Sequence, residues 1–371
     1  MTKKFLRTAA VAVTATLALA ACGSSSSGGA SGGGSSTTSA AGVQVGVILP
    51  DTQSSARWES FDKPYLQQAF DAAGIKSDIQ NALGDTSKMA SIADAMIQEG
   101  VKVLMIVNLD SASGAQIESK AQAAGIKTID YDRLTLGGSA DYYVSFNNVS
   151  VGELQGNGLV ACMKANGTFG KANPVIEING SPTDNNATLF KQGYDSVLDP
   201  LYKSGALKKV GDQSVPNWDN AKAGTIFQQL LTAAGNKVDG VIGSNDNMAG
   251  SIITRLKAVG IKAPVTGQDA TPDGLRRILL GDQCMTVYKA VKAEAKAAAD
   301  AAVALINGTA VATTGTTKDS QSGRDVPSVL LTPVAITADN VKDVVADGFV
   351  KASEICTTAA AKAACTKYGV Q

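Results

Sequence analysis

Short apolar runs and helical patterns alternate along the first part of the chain. Residues 43–50 form an apolar run without polar alternation, and residues 58–73 then carry a helical pattern that Gly74 closes. Such runs are typical of strands buried on both faces, and a glycine after a periodic segment is a common helix stop. The same pattern predicts strands at 75–81, 101–109 and 126–133 and a helix at 86–100.

The alternation resumes after Asn147 and indicates a second block of the same kind. Strands are expected there at 174–179, 207–212, 238–243, 265–268 and 285–288, with helices between them. A further helix is expected at 290–307 and an extended segment at 326–337. Repeated strand–helix units predict parallel sheets with helices on both faces. The sequence therefore predicts an α/β protein with two doubly wound parallel-sheet domains.

The N-terminus has the pattern of an export signal. Three basic residues precede an apolar run over 9–21, which is too short for a permanent membrane anchor. The run ends in small residues directly before Cys22, which resembles a bacterial lipoprotein signal. We therefore expect a signal peptide over 1–21 and lipidation of Cys22. The alternative is an ordinary cleaved signal peptide with an incidental cysteine.

The next segment has the composition of a flexible tether. Residues 23–42 are almost entirely Ser, Gly, Thr and Ala, so this segment has too little apolar surface to offset the entropy of ordering. We expect a linker over 22–42 that holds the folded body outside the cytoplasm, at the outer face of the cell membrane.

Charge and histidine content argue against several classes of function. The chain has 33 Lys plus Arg and 33 Asp plus Glu, so nothing favours a nucleic acid as partner. Histidine is absent, which removes the commonest general base and zinc ligand. We expect no metal and no cofactor. A glycosidase with two carboxylates among Asp132, Asp246 and Asp269 remains an alternative.

Four cysteines follow Cys22, an even number that favours disulfides in an exported protein. Cys356 and Cys365 are close in sequence, so we expect them to pair, which leaves Cys162 with Cys284. Buried free thiols are the alternative.

Polar side chains follow nearly every predicted strand. In open parallel sheets, ligands bind outside the carboxyl ends of the strands. The residues at those ends are Asp51, Asn108, Asp132, Arg133, Asn179 to Asn186, Asn245, Asp246, Gln268, Asp269 and Lys289. Carboxylates, carboxamides and cations suit sugar hydroxyls, which both donate and accept hydrogen bonds.

Two tryptophans add an apolar component to this set. Trp58 and Trp218 each follow shortly after a predicted strand end, where their rings could pack on the C–H faces of a sugar. The alternative is structural: such a Trp is often a packing residue, and a single Asp or Asn at a strand end is often a helix cap or turn former. We expect Asp85 and Asn220 to be caps only.

Several motifs resemble those of one known family. They include YDRL at 131–134, YYVSFNN at 142–148, GSPTDNNATLFKQG at 180–193, SNDNMAG at 244–250, GQDA at 267–270 and MTVYK at 285–289. Over about residues 43–350 the chain resembles the type I periplasmic sugar-binding proteins of ABC importers, in particular their D-xylose-binding group. The resemblance implies a type I periplasmic-binding fold, in which two α/β domains joined by a three-crossover hinge close over the sugar. The lobes would be 43–146 with 287–325, and 147–286 with 326–371.

The same resemblance implies a set of sugar-binding residues. Matched motif by motif, they are Arg57, Trp58, Asp132, Arg133, Asn186, Trp218, Asn245, Asp269 and Lys289, with Asp51 and Asp246 as further neighbours of the ring. Trp58 and Trp218 would lie on opposite faces of the sugar.

The implied function is binding without catalysis, by a monomer that delivers a monosaccharide such as D-xylose to an ABC permease. Two departures, Pro50 before Asp51 and SNDN in place of SNDA, leave glucose, galactose or several aldoses as alternatives. A membrane sensor could replace the permease as partner. A sugar-responsive transcription regulator would share the fold, but the export signal and the lack of an N-terminal DNA-binding helical domain argue against it.

Overall fold

The computed structural model describes residues 42–371. The expected signal peptide, Cys22 and nearly all of the expected linker lie outside these residues. The strands are β1 (Val45–Leu49), β2 (Ser77–Asn81), β3 (Val103–Ile106), β4 (Lys127–Tyr131), β5 (Tyr142–Phe146), β6 (Asn173–Asn179), β7 (Leu207–Ser214), β8 (Gly240–Gly243), β9 (Thr286–Tyr288), β10 (Gly315–Lys318), β11 (Asp325–Leu331) and β12 (Val334–Ile336).

Helices separate most of these strands. They are α1 (Lys63–Ala72), α2 (Thr86–Glu99), α3 (Ser111–Ala123), α4 (Asn148–Ala165), α5 (Asn185–Lys203), α6 (Asn220–Ala233), α7 (Asp246–Ala258), α8 (Pro272–Leu279), α9 (Val291–Ile306), α10 (Val341–Ala346), α11 (Ala352–Ile355) and α12 (Ala359–Tyr368). A π-helical turn (Trp58–Asp62) precedes α1, and a 3-10 turn (Pro216–Trp218) precedes α6. Within residues 42–371, no helix combines the length and the apolar character that crossing a membrane requires.

Two of the expected helix caps can be compared with the structure. Asp85 caps α2, because its carboxylate accepts hydrogen bonds from the backbone N–H groups of Ser87 and Lys88. Asn220 is not a cap: Asp219 accepts the hydrogen bonds at the start of α6, and the Asn220 side chain donates to the carbonyl of Gln53.

The first lobe is built on a seven-stranded sheet with the order β10-β11-β5-β4-β3-β1-β2. Only β10, which is antiparallel to β11, breaks its parallel arrangement. Strand β1, which lies between β2 and β3, is buried along its whole length. Its Val47 pairs with Ile79 on one side and with Met105 on the other. Helices α1 and α9 cover one face and α2 and α3 the other, which explains the absence of polar alternation in β1 and β3.

The second lobe has a smaller parallel sheet with the order β7-β6-β8. The strand expected at 265–268 is reduced to one bridge between Val265 and Val241. The strand expected at 285–288 is present as β9, but it pairs with β12 in an antiparallel ribbon outside the parallel sheet. Helices α4 and α5 pack closely because Gly152 leaves no Cβ, and a Cβ there would lie 1.9 Å from the carbonyl oxygen of Phe190.

The chain passes between the lobes three times, as the resemblance implied, but two of the expected boundaries differ from those in the structure. The passages lie between β5 and α4, between β9 and α9, and between β11 and β12. We expected 326–371 to belong to the second lobe, whereas residues 328–331 of β11 pair with β5 in the sheet of the first lobe. Strand β9, most of which we expected in the first lobe, packs in the core of the second. These pairings join residues far apart in sequence, so local patterns do not reveal them.

Residues 337–371 form a C-terminal segment that packs against α8 and α9. Its Phe349 ring stacks on Phe61 of the π-helical turn at a centroid distance of 4.3 Å, so the segment contacts the first lobe as well. A disulfide between Cys356 and Cys365 closes this segment, and a second joins Cys162 to Cys284. Both pairings are those predicted from the sequence.

Candidate ligand-binding site

A cavity lies between the two lobes and is lined by residues of both. Its lining combines charged, amide, hydroxyl and aromatic side chains. These residues are Ser54, Ser55, Arg57, Trp58, Asp132, Arg133, Asp184, Asn186, Phe190, Trp218, Asn245, Gln268, Asp269 and Lys289. All the candidate residues except Asp51 and Asp246 are therefore brought together around one cavity.

Arg57 and Trp58 enter the cavity from the π-helical turn that follows β1. Two cations lie over the Trp58 indole, with the guanidinium carbons of Arg57 and Arg133 at 4.6 and 5.3 Å from its ring centre. Its N–H donates to the hydroxyl of Ser54 at 3.0 Å. Cation–π contacts of this kind hold an aromatic ring in one orientation, so Trp58 forms a fixed wall.

Asp132 follows β4 in a left-handed backbone conformation, with φ of 62°. Its backbone carbonyl accepts from Tyr143, Ser145 and Asn186, which offsets the strain of that conformation. Burial acts to raise the pKa of its carboxyl, but the cations Arg57, Lys289 and Arg133 outweigh it and lower the pKa to about 2. Asp132 is therefore a carboxylate at any physiological pH.

Trp218 and Asp184 form the facing wall in the second lobe. Asp184 caps α5 through the backbone N–H of Asn186 and accepts from the Trp218 indole N–H at 3.1 Å. The Trp218 ring lies against Gly180, where a Cβ would be only 2.1 Å from the nearest ring atom. The position of this ring therefore depends on a glycine.

Lys289 connects carboxylates of the two lobes at the second crossover. Its Nζ lies 3.6 Å from Asp132 and 3.5 Å from Asp269, and its side chain is 4% exposed. Both distances exceed those of a good charge-assisted hydrogen bond, about 2.7–2.9 Å. The ammonium therefore keeps donor capacity for a group placed in the cavity.

Two acceptor atoms in the cavity lining also make no hydrogen bond, and one of them, Oδ1 of Asp269, is the atom that lies 3.5 Å from the Lys289 ammonium. Within the described residues, Oδ1 of Asp269 and Oε1 of Gln268 are buried and make no hydrogen bond. The Asp269 backbone is in the left-handed region with φ of 89°, and its N–H donates to Val287 of β9. Buried polar atoms are nearly always paired in native proteins, so these acceptors and the Lys289 ammonium indicate a place for a polar ligand.

Direct hydrogen bonds join the lobes around the cavity. The Ser55 hydroxyl donates to Asp269 at 3.0 Å, and the Asn245 amide donates to the Ser54 carbonyl at 3.1 Å. Asn245 also caps α7 through the backbone N–H of Met248. The structure is therefore the closed arrangement of the two lobes.

Five lining residues were missing from the predicted site: Ser54, Ser55, Asp184, Phe190 and Gln268. Asp184 and Gln268 belong to the strand-end polar segments noted in the sequence, which was a usable signal. Ser54 and Ser55 lie in the loop after β1 and contribute hydroxyl and backbone groups, for which composition gives no signal. Phe190 lies on α5, whose apolar face is otherwise core.

Asp51 and Asp246 do not line the cavity, which corrects their expected place beside the ring. The Asp51 carboxylate accepts from the backbone N–H groups of Gln53 and Ser54, so it shapes the loop after β1. Asp51 instead lines a second, outer cavity of about 390 Å³. Arg133, Asp184 and Trp218 line both cavities and so lie between them.

Asp246 lies behind the loop that carries Asp269. Its carboxylate accepts from the backbone N–H of Thr271 at 2.8 Å and from the Gln283 amide at 2.7 Å. Burial raises the pKa of Asp246 to about 6, although the nearby Arg277 acts to lower it. Because Asn245 and Asp246 are adjacent at the start of a helix, their side chains point in different directions, and only Asn245 reaches the cavity.

The arrangement suits recognition of a neutral molecule with several hydroxyl groups. Donors and acceptors both line the cavity, and two indoles and a phenyl ring supply apolar surface. The carboxylates are held by cations: Asp132 by Arg57 at 2.7 Å and Asp184 by Arg133 at 3.0 Å. Among the described residues, no cluster of three or more metal-ligating side chains is present.

Comparison with known proteins places these features in a family context. The periplasmic binding protein domain matches residues 45–310. The D-xylose-binding periplasmic protein of Escherichia coli (strain K12) is 38% identical over 85% of this chain and 93% of its own length. The multiple sugar-binding periplasmic receptor ChvE of Rhizobium radiobacter is 36% identical over 84% and 92%. A carbohydrate transporter solute-binding protein from Chloroflexus aurantiacus, solved with D-glucose, is 30% identical with a TM-score of 0.76, over 84% of this chain and 97% of that one.

Proposed function

The chain belongs to the periplasmic binding protein family, and on this basis we propose that it is the sugar-binding component of an ABC importer. It binds one monosaccharide in the cavity between its lobes and delivers it to a membrane permease. Proteins of this family bind their solute without transforming it, so the glycosidase alternative has no support.

The observation that carries this proposal is the set of unused polar atoms at the cavity. The Asp269 and Gln268 acceptors and the Lys289 ammonium are buried and line a cavity that two indoles also line, and Asp269 and Lys289 lie 3.5 Å apart. A sugar hydroxyl can donate to one of these groups and accept from another. Each hydroxyl left unpaired in the closed cavity would cost about 1–3 kcal/mol, so binding discriminates between epimers.

D-xylose is the first candidate for the sugar. The support is the identity of 38% to a protein named for D-xylose binding, together with the shared motifs that contribute Asp132, Arg133, Asn186, Asp269 and Lys289. Glucose, galactose or several aldoses form the second candidate, because a similar relative is named for multiple sugars and a solved relative holds D-glucose.

The binding cycle follows from the two-lobed architecture. The open protein takes up the sugar, and rotation at the three crossovers brings Ser55 onto Asp269 and Arg133 onto Asp184. The closed protein then docks on the permease. A membrane sensor in place of the permease is an alternative partner, and the genes next to this one would distinguish the two.

We further propose that lipidated Cys22 anchors the protein to the outer face of the cell membrane. The basis is the sequence pattern around Cys22, and the family is extracytoplasmic. A Cys22→Ser variant of the full chain, expressed with a lipidation-competent export system, is expected to lose labelled acyl groups and leave the membrane fraction. Retention of both label and membrane association would contradict the anchor.

Calorimetric titration and thermal melting with D-xylose, D-glucose, D-galactose, L-arabinose and D-ribose test the sugar assignment. A ligand that binds only the folded protein stabilises it by about 2.7 kcal/mol at a hundredfold excess over its Kd. We expect the largest shift with D-xylose and its loss in Asp269→Ala and Trp218→Ala. A shift with glucose or galactose instead supports the second candidate, and no shift with any sugar refutes the proposed function.

A further inference from the structure

The guanidinium of Arg57 is almost completely occupied by carboxylates of its own lobe. Its Nε and Nη2 donate to the two oxygens of Asp62 at 2.8 and 2.7 Å, and Nη2 also donates to Glu294 at 2.6 Å. Nη1 donates to Asp132 at 2.7 Å. Because a guanidinium has five N–H donors, these four bonds leave one Nη1 N–H. Arg57 lines the cavity, and none of its hydrogen bonds to the protein uses this remaining donor.

Asp62 accepts two of these four hydrogen bonds, although it does not line the cavity. It is fully buried and receives a third hydrogen bond, from the Tyr131 hydroxyl at 2.8 Å. Paired contacts between Arg and a carboxylate fix the plane of the guanidinium as well as its position. Burial alone would lower the pKa of Arg57, but Asp132, Asp62 and Glu294 raise it well above its usual value, so the group stays charged.

The π-helical turn explains how Arg57 and Asp62 meet. In an α-helix, residues five apart are rotated by about 140° from each other and cannot pair. A π-helix closes its hydrogen bonds between residues five apart, which brings such residues onto one side. The turn spans Trp58–Asp62 and directly follows Arg57. An ordinary helical start would therefore separate the two side chains.

We propose that Asp62, supported by Tyr131 and Glu294, is a positioning residue that aims the one free N–H of Arg57 at a single sugar hydroxyl. The inference rests on the proposed function and adds a source of selectivity to it. A guanidinium held on three sides cannot turn to follow a hydroxyl of the wrong configuration. An epimer or deoxy sugar then leaves the buried donor unpaired, and this loss is large when a site is built around a hydrogen bond.

The test compares binding of D-xylose with binding of its monodeoxy derivatives. In the wild-type protein, the derivative that lacks the hydroxyl facing Arg57 is expected to bind about 10- to 100-fold more weakly, because the donor loses its partner. In Asp62→Asn, the loss of affinity for this one derivative relative to D-xylose should fall to a few-fold. The losses of affinity for the other derivatives should stay as they are in the wild type. Asp319→Asn is the matched control, since Asp319 is an equally buried carboxylate in the first lobe that does not line the cavity.

A second measurement needs no sugar. The NMR signals of the Arg57 guanidinium protons, assigned by their loss in Arg57→Lys, are expected to exchange slowly in the wild type and fast in Asp62→Asn. If D-xylose and the other aldoses fail to bind, the proposed function is wrong, and these signals still decide whether Asp62 fixes Arg57. If Asp62→Asn does not fold, Tyr131→Phe removes one bond to Asp62 and should give the same changes in smaller measure. The inference would be overturned if a folded variant showed the same loss of affinity for each deoxy derivative as the wild type and the same exchange rate of the Arg57 guanidinium protons.

Discussion

Arg133 of the first lobe and Asp184 of the second form an ion pair across the cleft, with Nε and Oδ2 3.0 Å apart and both side chains buried. Asp184 also caps α5 and accepts from the Trp218 indole. The Asp184 carboxylate therefore holds the two lobes together, caps α5 and fixes the Trp218 ring. Because the pair separates the inner cavity from the outer one, it must break before a sugar can leave.

Replacing Asp184 with Asn should weaken closure more than it weakens the fold. The amide oxygen can still accept from Trp218, but the charge that holds Arg133 is lost. A buried charge without its partner is costly, and opening the cleft relieves the cost by hydrating Arg133. We expect sugar affinity to fall by about 10- to 100-fold, as measured by calorimetric titration, which corresponds to about 1.4 kcal/mol per tenfold change.

The control for this variant is Asp85→Asn, which changes an aspartate cap of the same kind on α2. It should leave sugar affinity within about twofold of the wild type. Equal affinity losses in both variants would mean that helix capping, and not the pair across the cleft, is responsible.

Gly180→Ala should displace the Trp218 ring, since the new Cβ would lie 2.1 Å from its edge. The ring must move because Gly180 is part of the backbone at the end of β6. We expect at least a tenfold loss of sugar affinity and a change in tryptophan fluorescence on sugar addition. Gly224→Ala is the matched control, because the nearest atom to its Cβ would be at an ordinary 3.4 Å. If Gly180→Ala binds sugar as well as Gly224→Ala, the ring is not needed in this position.

The Asp246 carboxyl should make stability depend on pH between about 4 and 6.5. Its pKa rises from an ordinary 3.8 to about 6 in the folded protein, so the folded state binds the proton more tightly than the unfolded state. This contribution is present below pH 3.8 and is lost as the pH rises through 6. The charged and polar groups that face Asp246 are Arg277, Asp269, Gln283 and Thr271. The size of the effect is at most about 3 kcal/mol.

Urea denaturation of the wild type and of Asp246→Asn at several pH values measures this effect. The free energy of unfolding of the wild type should decline with pH relative to that of the variant over this interval. Parallel curves would show that Asp246 does not titrate there.

The two disulfides should differ in their contribution to stability. Cys162 and Cys284 are separated by 122 residues, and Cys356 and Cys365 by 9. A longer loop loses more entropy when it is closed in the unfolded chain, which gives about 5 kcal/mol for the first bond and about 3 kcal/mol for the second. Paired Cys→Ser variants should show this order in chemical denaturation. A greater loss from the Cys356 and Cys365 pair would instead indicate that the C-terminal segment stabilises the closed lobes.

Most of the sheets and much of the site could be predicted from the sequence. Strands buried on both faces have no polar alternation, so β1 and β3 were visible as apolar runs. The carboxyl ends of the strands predicted before residues 132 and 245, which are β4 and β8 in the structure, located Asp132 and Asn245. A local sequence pattern does not show which strands pair when they are far apart in the chain. The place of β11 beside β5, and of β9 beside β12, depends on segments far apart in the chain.

The direction in which a side chain points was the second feature that the sequence did not reveal. Asp246 has the residue type and the strand-end position of a ligand-binding residue, yet it turns behind the loop to hold Thr271. Asp62 was missing from the predicted site, because in an ordinary α-helix its side chain would lie on a different side from that of Arg57. The sequence does not indicate a π-helical turn. Family motifs identified the residues that meet at the cavity but not the buried residues that orient them.

The stack between Phe61 and Phe349 has a consequence for how far the cleft can open. Phe61 lies in the first lobe, whereas Phe349 is carried by the C-terminal segment beyond the third crossover, so the stack bridges the moving bodies. If it persists through the motion, the rotation axis must run close to these two rings. Displacement then grows with distance from the axis, so groups close to Phe61 move little on opening and the parts of the lobes farthest from it move most.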